Sequence, residues 1–206
     1  MHDLEIQPVS AHFESNVIRA IETSSPDLRL SQEYSTQELE TITTILSHAP
    51  GIIGEVVGLP ENAERPGGCL VIWKKGRSTP LAYAVGEMKK PDKYPVFAMA
   101  KARLVRDFLP EAQLSGGNLS LPPEQRYKVE YGGQFFDIPH GAVATNDGWI
   151  LSFSGFEQEW DAGAMLALAV KAGVMGIDQA EQLAEQSVPV SQERTIGQCF
   201  SKLIPH

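Results

Sequence analysis

The 206-residue sequence has only two cysteines. Cys69 lies in an apolar run and Cys199 near the polar tail, and neither belongs to a CxxC pair, which argues against a disulfide framework or a cysteine-based metal site. Basic residues are also few: 17 Lys and Arg stand against 26 Asp and Glu, for a formal net charge of −9. A surface of that sign repels nucleic acid and anionic membrane, both of which recruit Lys/Arg-rich faces. Long apolar runs are missing too. The longest, around Ala162–Val174, is too short and too alanine-rich to span a bilayer, and Lys171 interrupts it. The opening residues Met1-His2-Asp3-Leu4-Glu5 show no basic region leading into an apolar core, so the cytoplasm is the expected compartment. HExxH, Walker-type and dinucleotide motifs do not occur, and Phe153-Ser154-Gly155 lacks the first glycine of a hydrolase nucleophile elbow.

What is present is enough apolar residue, 42% of the chain, to bury one sizeable core. Ala11, Phe13, Val17, Ile18 and Ile21 suggest a helix over Ser10–Glu22. Ser35 and Glu38 have capping-box spacing before an apolar stripe of Leu39, Ile42, Ile45 and Leu46, which predicts a helix ending at Pro50-Gly51. Ile52–Val57 reads as either a strand or an ordered loop. Cys69–Lys74 and Pro80–Glu87 form a β-hairpin pattern around Lys75-Gly76-Arg77-Ser78-Thr79. Pro95 then opens a helix with Phe97, Ala100, Leu104 and Phe108 on one face.

Glu111–Gln125, with Gly116-Gly117-Asn118 and Pro122-Pro123, reads as a long surface connection. Strand patterns return at Tyr127–Tyr131, Gln134–Ile138, Gly141–Thr145 and Trp149–Phe153, with Asn146-Asp147-Gly148 as a hairpin turn. From Asp161 an alanine-rich helix runs to Gly173, and a shorter one spans Asp178–Gln186. The order predicts an α/β (α+β) sandwich, an antiparallel sheet of about five strands flanked by helices. Its expected divisions are an N-terminal helical extension over 1–67, the α/β domain over 68–188, and a polar tail over 189–206.

Gly68–Glu87, Ala98-Met99-Ala100-Lys101-Ala102, Gly132-Gly133 with Pro139, and Ser154-Gly155-x5-Asp161 occur in an order that resembles the GlcG/HbpS-like haem-binding family. The resemblance implies a profilin-like, helix–hairpin–helix–hairpin–helix plan. It departs from the family pattern where Gln134–Ile138 separate Gly133 from Pro139 and where Phe153 replaces a small aliphatic residue. It implies a small-molecule binding protein with haem or another tetrapyrrole as candidate ligand. The alternatives are an enzyme acting on that ligand by oxidative haem degradation, and a non-catalytic oligomeric scaffold.

Candidate ligand-binding residues are His140, Lys101, Ser154, Gly155 and Gly133. His140, between Pro139 and Gly141, is the best-placed histidine for a metal, here haem iron. Ser154-Gly155 could offer backbone N–H groups at the start of the Asp161 helix to an anion. Against that, Glu157, Glu159 and Asp161 bring like charge, so an anion needs a cation such as Lys101 or Arg103. The architectural reading is that Asp161 caps the helix and Gly155 supplies a backbone conformation closed to other residues. Tyr131, Phe135, Phe136, Trp149, Phe153, Phe156 and Trp160 crowd one quarter of the chain and suit a core, an interface or an apolar pocket wall. The expected pocket lies between the Ala98–Phe108 helix and the Gly132–Ser154 strands. The expected partners are a small molecule and further copies of the chain.

Overall fold

A computed structural model describes residues 6–14, 17–21, 33–108, 113–187 and 194–204. Its centre is a six-stranded antiparallel sheet whose strands are β1 (Ile6–Glu14), β2 (Val17–Ile21), β3 (Gly67–Lys74), β4 (Leu81–Gly86), β7 (Ala142–Ala144) and β8 (Trp149–Ser154). Their order across the sheet is β2-β1-β4-β3-β8-β7. The mixed α and β architecture is the one expected, and the sheet gains one strand.

β3 and β8 are neighbours, neither of them an edge strand, and are buried on both faces. Leu70, Ile72, Leu151 and Phe153 point into one core, which α1 (Thr36–Val57) and α3 (Gln158–Lys171) cover. Cys69, Val71, Trp73 and Ile150 point into the other, against Ala98, Met99 and Ala102 of α2 (Tyr94–Arg103). This alternation follows from the period of two in a strand. Strands covered on both sides must be apolar throughout, and the sequences of β3 and β8 are close to that.

α2 is buried on its outer side as well. Val96, Phe97, Ala100 and Leu104 pack against Val129 and Ile138 of a separate two-stranded hairpin, β5 (Lys128–Tyr131) and β6 (Gln134–Asp137). Gly132 and Gly133 both have positive φ, 59° and 74°, as a two-residue hairpin turn of this hand requires. The order α1–β3–β4–α2–β7–β8–α3 is helix, hairpin, helix, hairpin, helix, with β5–β6 inserted before the second hairpin. Gly133 is in the turn of that hairpin, and β6 is what separates it from Pro139.

Several expectations are corrected. Ser10–Glu22 contains no helix among its described residues: β1 pairs with β4 and β2 with β1, so this part of the chain extends the sheet. The capping box at Ser35 and Glu38 is formed as expected, but the helix does not stop at Pro50-Gly51. It runs on to Val57 because Ile52, Ile53 and Val56 continue the buried stripe, and that burial outweighs the hydrogen bond Pro50 cannot make. The boundary drawn at Gly67 falls on the first residue of β3.

The expected tail is not polar throughout. α5 (Ile196–Leu203) has a Thr195–Gln198 capping box and buries Ile196, Cys199, Phe200 and Leu203. It approaches α3 closely, since a Cβ on Gly163 would lie 2.7 Å from the Cβ of Cys199. Between them α4 (Ile177–Gln186) matches the short helix expected there. No helix among the described residues is long and apolar enough to cross a membrane.

Candidate functional site

Lys101, expected as a ligand-binding cation, is 1% exposed. The surrounding helix explains this: α2 lies between the sheet and the β5–β6 hairpin, so a side chain from its middle has no route to water. Its Nζ donates to the Asp161 carboxylate at 2.7 Å and to the Phe153 carbonyl at 2.8 Å. Asp161, 2% exposed, uses its other oxygen to accept the Phe156 N–H at 2.9 Å. The pair therefore joins α2 on one side of the sheet to α3 on the other, around the end of β8.

Asp161 is not the helix cap expected of it. Glu157 occupies the N-cap position without a side-chain hydrogen bond, and Asp161 lies within the helix, reaching back to close the Phe153–Phe156 turn. Burial pushes its carboxyl above the ordinary carboxylate range, while Lys101 and the Phe156 N–H pull it down. A charged pair removed from water in this way is tolerable because both carboxylate oxygens accept a hydrogen bond and the ammonium donates two.

Gly141 makes room for the pair. Its φ is +127°, and a Cβ there would lie 2.6 Å from Lys101 Nζ and 2.8 Å from the Phe153 carbonyl oxygen. Gly155 is needed for a different reason from the one expected. It is not among the glycines with positive φ. A Cβ on it would lie 2.6 Å from the Gly67 carbonyl oxygen and 2.8 Å from the Phe153 ring, so the requirement is close approach. Ser154 is the last residue of β8, paired across to Cys69.

His140 is 1% exposed. The turn at Ser115–Ser120 closes over it: a Cβ on Gly116 would come 1.8 Å from both Nδ1 and Cε1 of the imidazole. The Ser115 hydroxyl donates to the Pro139 carbonyl and accepts from the Ala142 N–H, while Asn118 donates to the Ile138 and Tyr127 carbonyls and accepts the Tyr127 N–H. The stretch expected to be a surface connection is thus a brace with Ser115 and Asn118 buried. An axial haem ligand needs open space beside a ring nitrogen, and a turn backbone packed on the ring does not fit that role. Among the described residues no group of three His, Cys, Asp or Glu side chains is arranged to hold a metal ion.

Lys101, Ser154 and Gly155 are brought to one end of β8, with His140 next to Gly141, whose carbonyl accepts the Phe153 N–H. Gly133 lies apart, at the tip of the hairpin, where an added Cβ would meet nothing within 4 Å. Arg103 is part-exposed and pairs with Asp107 at 3.8 Å. The residues that sequence reading passed over are Gly116, Ser115, Asn118 and Gly141. Their signal was the glycine-rich spelling of two segments, which does not say that the segments meet.

The volume expected to be a pocket between α2 and the strands is filled by Val96, Phe97, Leu104, Val129 and Ile138. Apolar surface remains at the rim of this layer. Phe108, at the end of the helical turn Leu104–Phe108 that follows α2, is 48% exposed, and Phe135 on the outer face of β6 is 68% exposed. Trp149, Phe153, Phe156 and Trp160 are core. An open cleft of about 710 Å³ lies elsewhere, between the start of α1 and the β7–β8 turn, lined by Glu38, Glu40, Thr44, Lys74 and Asp147. The chain matches no family model, no curated protein and no solved structure.

Proposed function

We propose that this chain is a small-molecule binding protein of the GlcG/HbpS-like kind, that its ligand is an apolar planar molecule of the tetrapyrrole class, and that it binds at the rim of the α2 and β5–β6 layer. The observation that carries the reading is that Phe108 stays half exposed at the edge of this layer, with the Tyr127 ring tilted 37° to it at 5.0 Å. Exposed aromatic rings offer flat apolar contact to a flat ligand.

The resemblance gains support from the Lys101–Asp161 pair, which joins the Ala-Lys-Ala helix to the Ser-Gly-x5-Asp turn, two of the segments on which it rests. That pair also favours binding over turnover. Lys101 and Asp161 are held by each other and by backbone groups in a closed interior, so neither serves as a general acid or base toward a bound molecule.

Haemin titration of the purified protein tests the proposal. Saturable binding with a shifted Soret band is expected, unchanged in His140→Ala and in Phe135→Ala, whose ring is on the outer face of the hairpin, and weakened in Phe108→Ala. An absence of saturation at micromolar protein overturns it.

A further inference from the structure

The Lys93 ammonium lies over three aromatic rings at once: 5.0 Å from the centroid of Phe97, 5.6 Å from Phe136 and 5.8 Å from Tyr131. Each distance is inside the range in which a ring's negative face attracts a cation. The rings are walls rather than a stack. Tyr131 is inclined 68° to Phe97 at 6.1 Å, and Phe136 is inclined 59° at 5.8 Å.

The fold sets these walls by simple register. Phe97 is one turn along α2 from Lys93. Val129 pairs with Phe136 and Tyr131 with Gln134, so Tyr131, Val129 and Phe136 share the hairpin face that meets α2. A carboxylate stands beside the box: the Tyr131 hydroxyl donates to Asp92 at 2.5 Å, and that bond with the Lys93 charge holds the Asp92 carboxyl below its usual range.

We infer that Phe97, Tyr131 and Phe136 form an aromatic cage for alkylammonium or quaternary ammonium groups, and that Lys93 occupies it as an intramolecular stand-in for such a ligand. The Lys93 ammonium marks the chemistry the cage accepts. A methylated ammonium is more weakly hydrated than a primary one and leaves water more readily, so it competes with Lys93 for the same three faces. Lys93 then sets a threshold, because a ligand enters only by displacing a cation already tethered there. The inference concerns the ammonium and does not rest on the tetrapyrrole reading.

The test uses choline and its neutral isostere 3,3-dimethylbutan-1-ol on the full chain, followed by NMR shifts of the Tyr131 ring. Lys93→Ala vacates the cage on a half-buried surface position, and Lys93→Gln does so with less loss of side chain. Saturable choline binding is expected in both variants, at least roughly tenfold tighter than in the unaltered protein, with no saturation by the isostere. Tyr131→Leu in the Lys93→Ala background is expected to abolish the binding while leaving the thermal melt two-state. Equal response to choline and isostere, or no choline binding in either folded Lys93 variant, overturns the inference.

Discussion

Replacing Lys101 by methionine keeps most of the side-chain volume and removes the charge, which isolates the electrostatic part of the interior joint. Asp161 is then left as a buried carboxylate with one hydrogen bond, from Phe156, in place of two. Removing one partner of a buried ion pair costs about 3–5 kcal/mol. In a domain of this size each kcal/mol moves the melting temperature by about 2–4 °C, so a drop of about 6–20 °C is expected. The pH dependence has a definite sign. Asp161 already titrates above the ordinary range because it is buried, and loss of Lys101 raises it further. A carboxyl with a raised folded-state pKa binds protons in the folded form before the unfolded form does, so its penalty is full above that pKa and is relieved as pH falls. The gap between Lys101→Met and the unaltered protein therefore narrows as pH falls through the raised titration range of Asp161. Urea unfolding of Lys101→Met, Asp161→Asn and the double variant completes the cycle. The double variant should lose less than the sum of the singles by about 0.5–3 kcal/mol. Additive losses, or a gap that widens in acid, would refute the coupling.

Two further substitutions probe the glycines. Gly155→Val forces a branched side chain toward the Gly67 carbonyl and the Phe153 ring, and is expected to cost at least about 1–3 kcal/mol in a thermal or urea melt; a melt unchanged from the parent would show that the turn after β8 approaches β3 more loosely than these distances require. Gly116→Ala drives a methyl group into His140, so Gly116→Ala alone should destabilise, and adding His140→Ala should recover part of the loss. Failure of the second change to recover any stability would remove the imidazole as the obstacle.

The strands and helices near the middle of the chain were legible because local spelling and tertiary demand agree there. Asn146-Asp147-Gly148 closes β7–β8, with Gly148 at φ 79°, and Ser35 and Glu38 cap α1 as their spacing implies. The N-terminal strands were misread because Ala11, Phe13, Val17, Ile18 and Ile21 satisfy a loose helical pattern, while Val9, Ala11 and Phe13 also alternate strictly with Ser10, His12 and Glu14. Short segments leave that choice to pairing, here with β4. α5 carries the same capping-box spelling as α1, at Thr195 and Gln198, but its apolar face has only four buried residues, too short a pattern to stand out from a polar tail.

The candidate site was legible as a set of names and not as a set of roles. Lys101, Ser154, Gly155 and Asp161 do gather at one end of β8, yet nothing local to Lys101 announces that its partner is sixty residues away. Burial of a lysine depends on what packs over its helix, and β5–β6 does that from outside the motif. Gly155 was rightly singled out and wrongly explained, since close packing and unusual backbone angles select the same residue.

The Lys101–Asp161 joint also constrains the order in which the protein can be completed as it is synthesised. Lys101 leaves the ribosome well before Phe153 and Asp161, so α2 emerges with a charge whose two acceptors do not yet exist. Seating that helix on β3 and β4 alone would strand an ammonium in an apolar layer. The N-terminal two thirds of the chain therefore gain little by closing early, and the arrival of β8 and the first turn of α3 turns a waiting half-sandwich into a sealed one.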